Sequence, residues 1–463
     1  MRVNLKQTYT LFFLIGVFFI PFNSYQGVSF LGEYRKDGAI LFFLISFLLF
    51  FIDVGFKNKI MLPIKNVFIQ FLTLFVVWLF FCTLLNAPSV IENYMKQTSG
   101  ISRFLRQAVA LSLALILCIT AYNIFRNFSP KKIFFKLRKA FLYSFYFVII
   151  YSFFEILIVV FNVHYLKSVF LLFDYFPFTE TSFDFKFGRI SSVSYEPPFL
   201  AIYLITIAAW MFSYILTSKR KLKYLPSLFV FILTFFSGSR TALIVILLQF
   251  LVFIWIAFFS SKKFNKIIQN FLVLSFTLLL LVFIFKGEKI VDVIEDKIET
   301  LNFKKNLGKS ISNRSRFGIQ YTSLLIFAEN PFFGVGFGQQ GFHAKDKYPE
   351  WVTKNNYEFD LFYLNDNDTS FPPGFNIYTR LLAETGIVGM LIFLGLLFIV
   401  FYKCQKLIKI KEGFDKVIPI VLLISFLGFS VNWLQFDSFR VYGFWICFAL
   451  LIQQTQKKSI ENE

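Results

Sequence analysis

Ala39-Ile40-Leu41-Phe42-Phe43-Leu44-Ile45-Ser46-Phe47-Leu48-Leu49-Phe50-Phe51-Ile52 runs without a charge until Asp53, and Lys57 and Lys59 follow. Taken to Phe56, the stretch approaches the ~20 mostly apolar residues that a helix needs to cross the hydrocarbon core of a bilayer. Its basic exit marks the side that stays inside, because short cytoplasmic loops carry an excess of Lys and Arg. The rest of the chain is read by these two rules.

Runs of the same kind recur at residues 9–23, 39–56, 67–86, 107–125, 140–163, 198–217, 225–238, 240–260, 267–286, 377–402, 417–434 and 440–455. The expectation is an all-α polytopic membrane protein with about twelve transmembrane helices. The first run lacks a small-residue cleavage site and reads as a retained anchor. With the N-terminus inside, the basic segments Lys57–Lys65, Lys131–Lys139, Lys219–Lys223, Lys262–Lys266 and Lys403–Lys416 fall on one side, with Lys457 and Lys458. Both termini are therefore expected in the cytoplasm. Residues 87–106, 164–197 and 287–376 form the longer segments of the opposite face. The chain reads as a single membrane domain, 1–463, with 287–376 as one large outer loop. Within that loop an amphipathic helix is expected near 312–330: Phe317, Tyr321, Leu324 and Ala328 fall at helical spacing, Ser312 or Asn313 can cap it, and Asn330-Pro331 ends it.

Composition agrees. The chain has 463 residues, is 57% hydrophobic, and its net charge of +20 is carried between the spans rather than on a nucleic-acid-binding face. Its mean hydropathy is +0.65. Cys82, Cys118, Cys404 and Cys447 lie in or beside apolar runs without paired spacing and read as small core residues. His164 and His343 alone exclude a histidine-rich metal centre.

The arginines divide unequally. Arg2, Arg126, Arg138 and Arg220 belong to the inner side; Arg240, Arg380 and Arg440 sit at outer ends of apolar spans, and Arg189 and Arg316 lie in outer loops. One such arginine serves equally well as a snorkelling anchor. Five on one face, with few acids beside them, point to an anionic ligand, because a guanidinium grips phosphate or carboxylate through a planar fork of donors.

Four local patterns add to this. Gly188-Arg189-Ile190-Ser191-Ser192 leads into Glu196-Pro197-Pro198; Ser237-Gly238-Ser239-Arg240-Thr241 opens a span. Arg316 precedes Asn330-Pro331-Phe332-Phe333-Gly334-Val335-Gly336-Phe337-Gly338, and Phe375-Asn376-Ile377-Tyr378 runs into Leu382-Ala383-Glu384-Thr385-Gly386-Ile387-Val388-Gly389. In this order, over residues 185–400, the chain resembles the O-antigen polymerase and O-antigen ligase superfamily of membrane glycosyltransferases. The resemblance implies a GT-C-like transferase of the bacterial inner membrane, without metal or other cofactor. It would polymerise undecaprenyl-pyrophosphate-linked oligosaccharide repeat units at the outer leaflet into O-antigen, capsule or exopolysaccharide. A chain-length regulator and a flippase would be its partners, beside membrane lipids. The alternatives are a ligase that moves polymer to lipid A core or protein, and a transporter of lipid-linked sugars. The resemblance assigns the pyrophosphate to Arg189, Arg240 and Arg316, with Arg314 beside them.

The reaction also needs a proton acceptor. Glu196, near Arg189 at a span mouth, is the first candidate for it and equally a salt-bridge partner of Arg189. Glu384 and Asp437 are the weaker candidates, since Glu384 can simply pair with Arg380 at i, i+4 and Asp437 with Arg440. Arg380, Arg440, Asn376 and Tyr195 are expected to contact substrate. Asn365-Asp366-Asn367-Asp368-Thr369 contains a DxD that binds a divalent ion weakly or, more often, is a solvated turn. Ligases of the superfamily carry a His-Asn pair where this chain has Phe375-Asn376, which favours a polymerase. His343, in the large loop, is not expected to take that histidine's place.

Overall fold

In lipid a backbone has no water to bond, so an apolar run satisfies its own N–H and C=O groups by becoming a helix. The computed structural model describes residues 5–27, 34–56, 59–260, 264–270 and 310–456, with Lys262 and Val273. Its main helices are α1 Leu5–Phe18, α2 Gly38–Phe56, α3 Val67–Leu85, α4 Gly100–Arg126, α5 Pro130–Val159 and α6 Pro197–Thr217. They continue as α7 Leu225–Phe236, α8 Arg240–Ser260, α9 Ile311–Glu329, α10 Ile377–Ile410, α11 Val417–Asn432 and α12 Tyr442–Thr455. Among the described residues, eight helices are long and apolar enough to cross a membrane, and α1 and α7 are shorter apolar helices. The fold is thus helical and multi-pass; its only strands among the described residues are the two-residue pair Tyr94–Met95 and Thr98–Ser99. The expected span at 267–286 lies, apart from 267–270 and Val273, outside the described residues.

The helix ends sort onto two faces. Glu155 of α5 meets Ser191 and Ser192, the Ile190 N–H bonds the Phe236 carbonyl at the end of α7, and Tyr442 of α12 bonds Asp37 before α2. At the other end Gln453 of α12 bonds the Phe125 and Phe128 carbonyls in and just after the last turn of α4, Arg138 of α5 bonds the end of α6, and Lys416 bonds Ser260. The described basic segments gather at this second end, as the loop charges require. Of the eight long apolar helices, α6 is buried most deeply, with 83% of its most apolar window covered, against 33% for α3 and α8, which leave a side to lipid. Gln249 of α8 donates to Ile205 and Ile424 carbonyls of α6 and α11. Such bonds across membrane helices average about 0.6 kcal/mol, so this residue sets register more than stability.

One crossing positions the outer loop. Helix α10 is broken at Gly386 (φ +66), and the segment after α9 passes through the break. The Val335 and Gly336 N–H groups donate to the Ala383 and Glu384 carbonyls, and Ile387 N–H donates to Pro331 O. The turn bonds the very carbonyls that the break leaves without helical partners. Two glycines permit the approach: a Cβ on Gly334 would stand 2.4 Å from the Glu384 carbonyl carbon, and one on Gly386 2.2 Å from Phe332 O. Both have positive φ.

Helix α9 corrects two expectations. Its cap is Ser310, whose side chain accepts from Asn313 N–H, rather than Ser312 or Asn313. Phe317, Tyr321 and Leu324 are exposed at 38%, 40% and 42%, whereas Ser315, Gly318, Ile319, Thr322, Ser323 and Ile326 form the buried side. Small residues win that face because they allow close approach. A Cβ on Gly318 would lie 2.3 Å from Val352.

Gly334→Ala and Gly386→Ala should each destabilise the protein by more than about 2 kcal/mol, since a left-handed backbone is added to a backbone clash. Gly55→Ala, with nothing within 4 Å of its Cβ, should be neutral. Melting curves of the three purified variants check this; equal melting points would remove the role given to the crossing.

Candidate active site

Three arginines converge where α7 turns into α8. Arg189 reaches this turn from the loop before α6: its side-chain carbons lie 3.0 Å from where a Gly238 Cβ would stand. Arg240 is the first residue of α8, and its Nη2 donates to Asn313 Oδ1 of α9 at 3.4 Å. Arg316, one turn further along α9, lies over the Phe375 ring at 5.2 Å. Burial pulls the Arg316 guanidinium below its ordinary range, Tyr363 and Glu358 oppose this, and Arg240 and Arg189 add repulsion. The three are thus close enough to repel one another, and Glu358 is the one carboxylate among the groups acting on Arg316.

The donors of Arg189 and Arg316 are largely unused among the described residues. Arg316 Nε is buried without a hydrogen-bond partner, and Arg316 makes no side-chain hydrogen bond among the described residues. Arg189 is exposed and packs over Phe187 at 4.8 Å, likewise without a side-chain hydrogen bond among the described residues. Arg314 donates through Nη2 to Asn355 O at 2.7 Å and keeps a buried, unbonded Nε. Positive charge with free donors and little carboxylate nearby has the electrostatics to receive an anion.

Position here is enforced. Glu155, 1% exposed within the apolar α5, accepts from Ser191 N–H at 2.9 Å and Ser192 N–H at 2.8 Å. Ser192 has φ +53 and Gly188 φ +59, so two left-handed residues shape the loop that carries Arg189. Sequence reasoning passed over Glu155, although an acid inside a span is by itself a signal. Phe375 (φ +56) lays its ring under Arg316, and Asn376 caps α10, accepting from Tyr378 and Thr379 N–H.

Glu196 is exposed, caps no backbone group of α6, and pairs with neither Arg189 nor any other described cation. Its carboxylate is available, and the expected salt bridge to Arg189 is absent among the described residues.

The remaining candidates go elsewhere. Arg380 is buried: Nε binds Glu384 Oε1 at 3.0 Å, Nη1 the Asp437 carbonyl at 2.8 Å and Nη2 Gln107 Oε1 at 3.0 Å. The i, i+4 pair with Glu384 is as expected, but Asp437 serves Arg380 (Nη1–Oδ2 3.8 Å), because the Gly374 N–H fixes its carboxylate beside α10. Arg440 instead stands over Tyr34 at 5.5 Å and borders a cavity of about 60 Å³ with Asp37, Asn23 and Tyr442. Tyr195 lies under Lys36 Nζ at 3.1 Å. Asn376 is held by its capping bonds and by Gln320, so substrate contact is not its evident role. His343 meets Ser89 Oγ at 3.4 Å and feels Glu329 at the end of α9, about 20 Å along the helix from Arg316. The DxD run folds around Lys96, whose Nζ donates to the Asp368 and Phe362 carbonyls, and Asp366 pairs with Lys345. Among the described residues no cluster of three or more His, Cys, Asp or Glu could hold a metal ion.

Glu155→Gln retains one accepting oxygen for two amides. The amides of Ser191 and Ser192 should exchange with deuterium about tenfold faster, as expected when a charge-assisted bond is lost. Unchanged exchange would mean that Glu155 does not hold the loop.

No curated protein matches the chain. Residues 225–394 match the family model described as O-antigen ligase. The match runs from α7 into α10 and includes Arg240, Arg314, Arg316 and the crossing at Gly334 and Gly386, while Arg189 and Glu196 precede it. Over residues 225–394, then, the chain is similar to the O-antigen ligase family.

Proposed function

We propose that the protein polymerises glycan repeat units carried on undecaprenyl pyrophosphate, at the outer leaflet of a bacterial inner membrane, with both termini cytoplasmic. The observation that carries this reading is the convergence of Arg189, Arg240 and Arg316, with donors of Arg189 and Arg316 unfilled among the described residues. A hydroxyl of the incoming unit attacks the anomeric carbon of the growing chain. The new glycosidic C–O bond forms as the C–O bond to the diphosphate breaks, and Glu196 takes the hydroxyl proton. The electron pair leaves on the diphosphate, where guanidinium donors stabilise the developing charge. Three fixed cations do here what a divalent metal does elsewhere, so the reaction is metal-independent.

Ligation is the second reading, favoured by the description of the matched family model. Phe375 at the histidine position supports polymerisation instead. In a deletion strain, single repeat units on lipid A core identify a polymerase, and unattached lipid-linked polymer identifies a ligase.

Arg189→Ala and Arg316→Ala should leave the protein in the membrane and reduce polymer formation at least about 100-fold, the usual loss for one donor to a developing anion. Lysine at either site should rescue partly, since it restores charge without the fork. Arg380→Ala should lower the amount of folded protein instead, because it strands Glu384. Surface-polysaccharide gels beside membrane immunoblots check this; normal polymer in both active-site variants would overturn the proposal.

A further inference from the structure

Another arginine is buried at the opposite end of the bundle. Arg138 lies in the third turn of α5, about 25 Å along the helix from Glu155, and is 6% exposed. Its Nη1 donates to Ser213 Oγ at 3.0 Å and Thr217 Oγ1 at 2.6 Å of α6. The rings of Phe134, Phe135 and Tyr214 surround its Cζ at 5.5, 5.0 and 4.0 Å. No described carboxylate pairs with it. The acid-bearing turn that docks nearby, through Phe414 on Phe135 at 4.9 Å, directs Asp415 toward Lys411.

A guanidinium taken out of water keeps its desolvation penalty unless an opposite charge arrives, and hydroxyls and rings offset only part of it. The surroundings are cationic: Lys139 follows Arg138, and Lys219 and Arg220 stand exposed just beyond Thr217. Such a rim draws anionic lipid headgroups at about 1 kcal/mol per residue. Depth also fits. Arg138 sits where α5 passes from its lysine-rich start into the apolar run from Ala140 onward, the level at which phosphates lie in a bilayer.

We propose that Arg138, framed by Ser213, Thr217 and Tyr214, binds the phosphate of an anionic membrane lipid at the end of the bundle opposite the arginine site. The lipid phosphate completes the α5–α6 contact and is independent of the transfer reaction. A soluble phosphate would offer the same charge without chains to occupy the apolar surroundings.

The full chain in detergent, titrated with phosphatidylglycerol, phosphatidylcholine or inorganic phosphate and read by native mass spectrometry, tests this. Phosphatidylglycerol should bind about tenfold more tightly than phosphatidylcholine, as expected for one or two added charge contacts. Arg138→Gln, which keeps a donor for Ser213 and Thr217, should bring the two lipids within about twofold. Arg138→Lys, charged but without the fork, should keep an intermediate preference and serves if the glutamine variant does not accumulate. An undiminished preference in whichever variant is read overturns the site, as does a wild type without preference. Displacement of phosphatidylglycerol by inorganic phosphate overturns the lipid assignment.

Discussion

The burial of Arg316 beside two further guanidiniums, Arg240 and Arg189, is the constraint on which the account of this end of the molecule depends. Burial and two neighbouring guanidiniums disfavour the charged form of Arg316, with Glu358 and Tyr363 as the opposing influences. In the proposed function such an arrangement loses stability in the resting protein and would recover it when the diphosphate arrives, discriminating in favour of developing negative charge. The contrast with Arg380 makes the point. That side chain has every nitrogen engaged by Glu384, Asp437 or Gln107 and holds helices together. Arg316 has a ring beneath it and a buried donor without a partner.

Repelling groups remain together only if their backbones are fixed. Three devices do this. Glu155 fixes the Arg189 loop from inside the bundle. The left-handed Gly238 admits Arg189 to the α7–α8 turn. The Gly334 and Gly386 crossing ties the far end of α9 into the broken α10, so the helix that carries Arg316 is anchored to a membrane segment. Backbone hydrogen bonds carry the third device, and side chains that repeat the local pattern could not replace them.

The amino-acid sequence announced much of this. Apolar runs marked the described helices, because hydropathy over such lengths has few other meanings, and the motifs named Arg189, Arg240 and Arg316, which the fold brings together. The reasons for those motifs were hidden. Nothing local shows that Gly334 and Gly386, far apart in the chain, are needed at one crossing. Helical spacing picked out the Phe317–Tyr321–Leu324 stripe of α9 but could not tell which side packs, since Gly318 and Ser315 bury by closeness rather than by apolarity. Asp437 was paired with the nearer Arg440 by spacing, while the fold gives it to Arg380. Glu155 was visible as an acid inside a span and passed unread, its partners being backbone amides that no composition reveals.

If the guanidinium cluster exists to hold a departing diphosphate, it should bind one without metal. The direct measurement is calorimetric titration of the purified full chain with farnesyl diphosphate in excess chelator, for the wild type and Arg316→Ala. The account predicts binding by the wild type, weakened about tenfold or more in the variant, as the loss of one charge-assisted contact implies. Equal affinity of the two proteins, or binding only after a divalent cation is added, would contradict it.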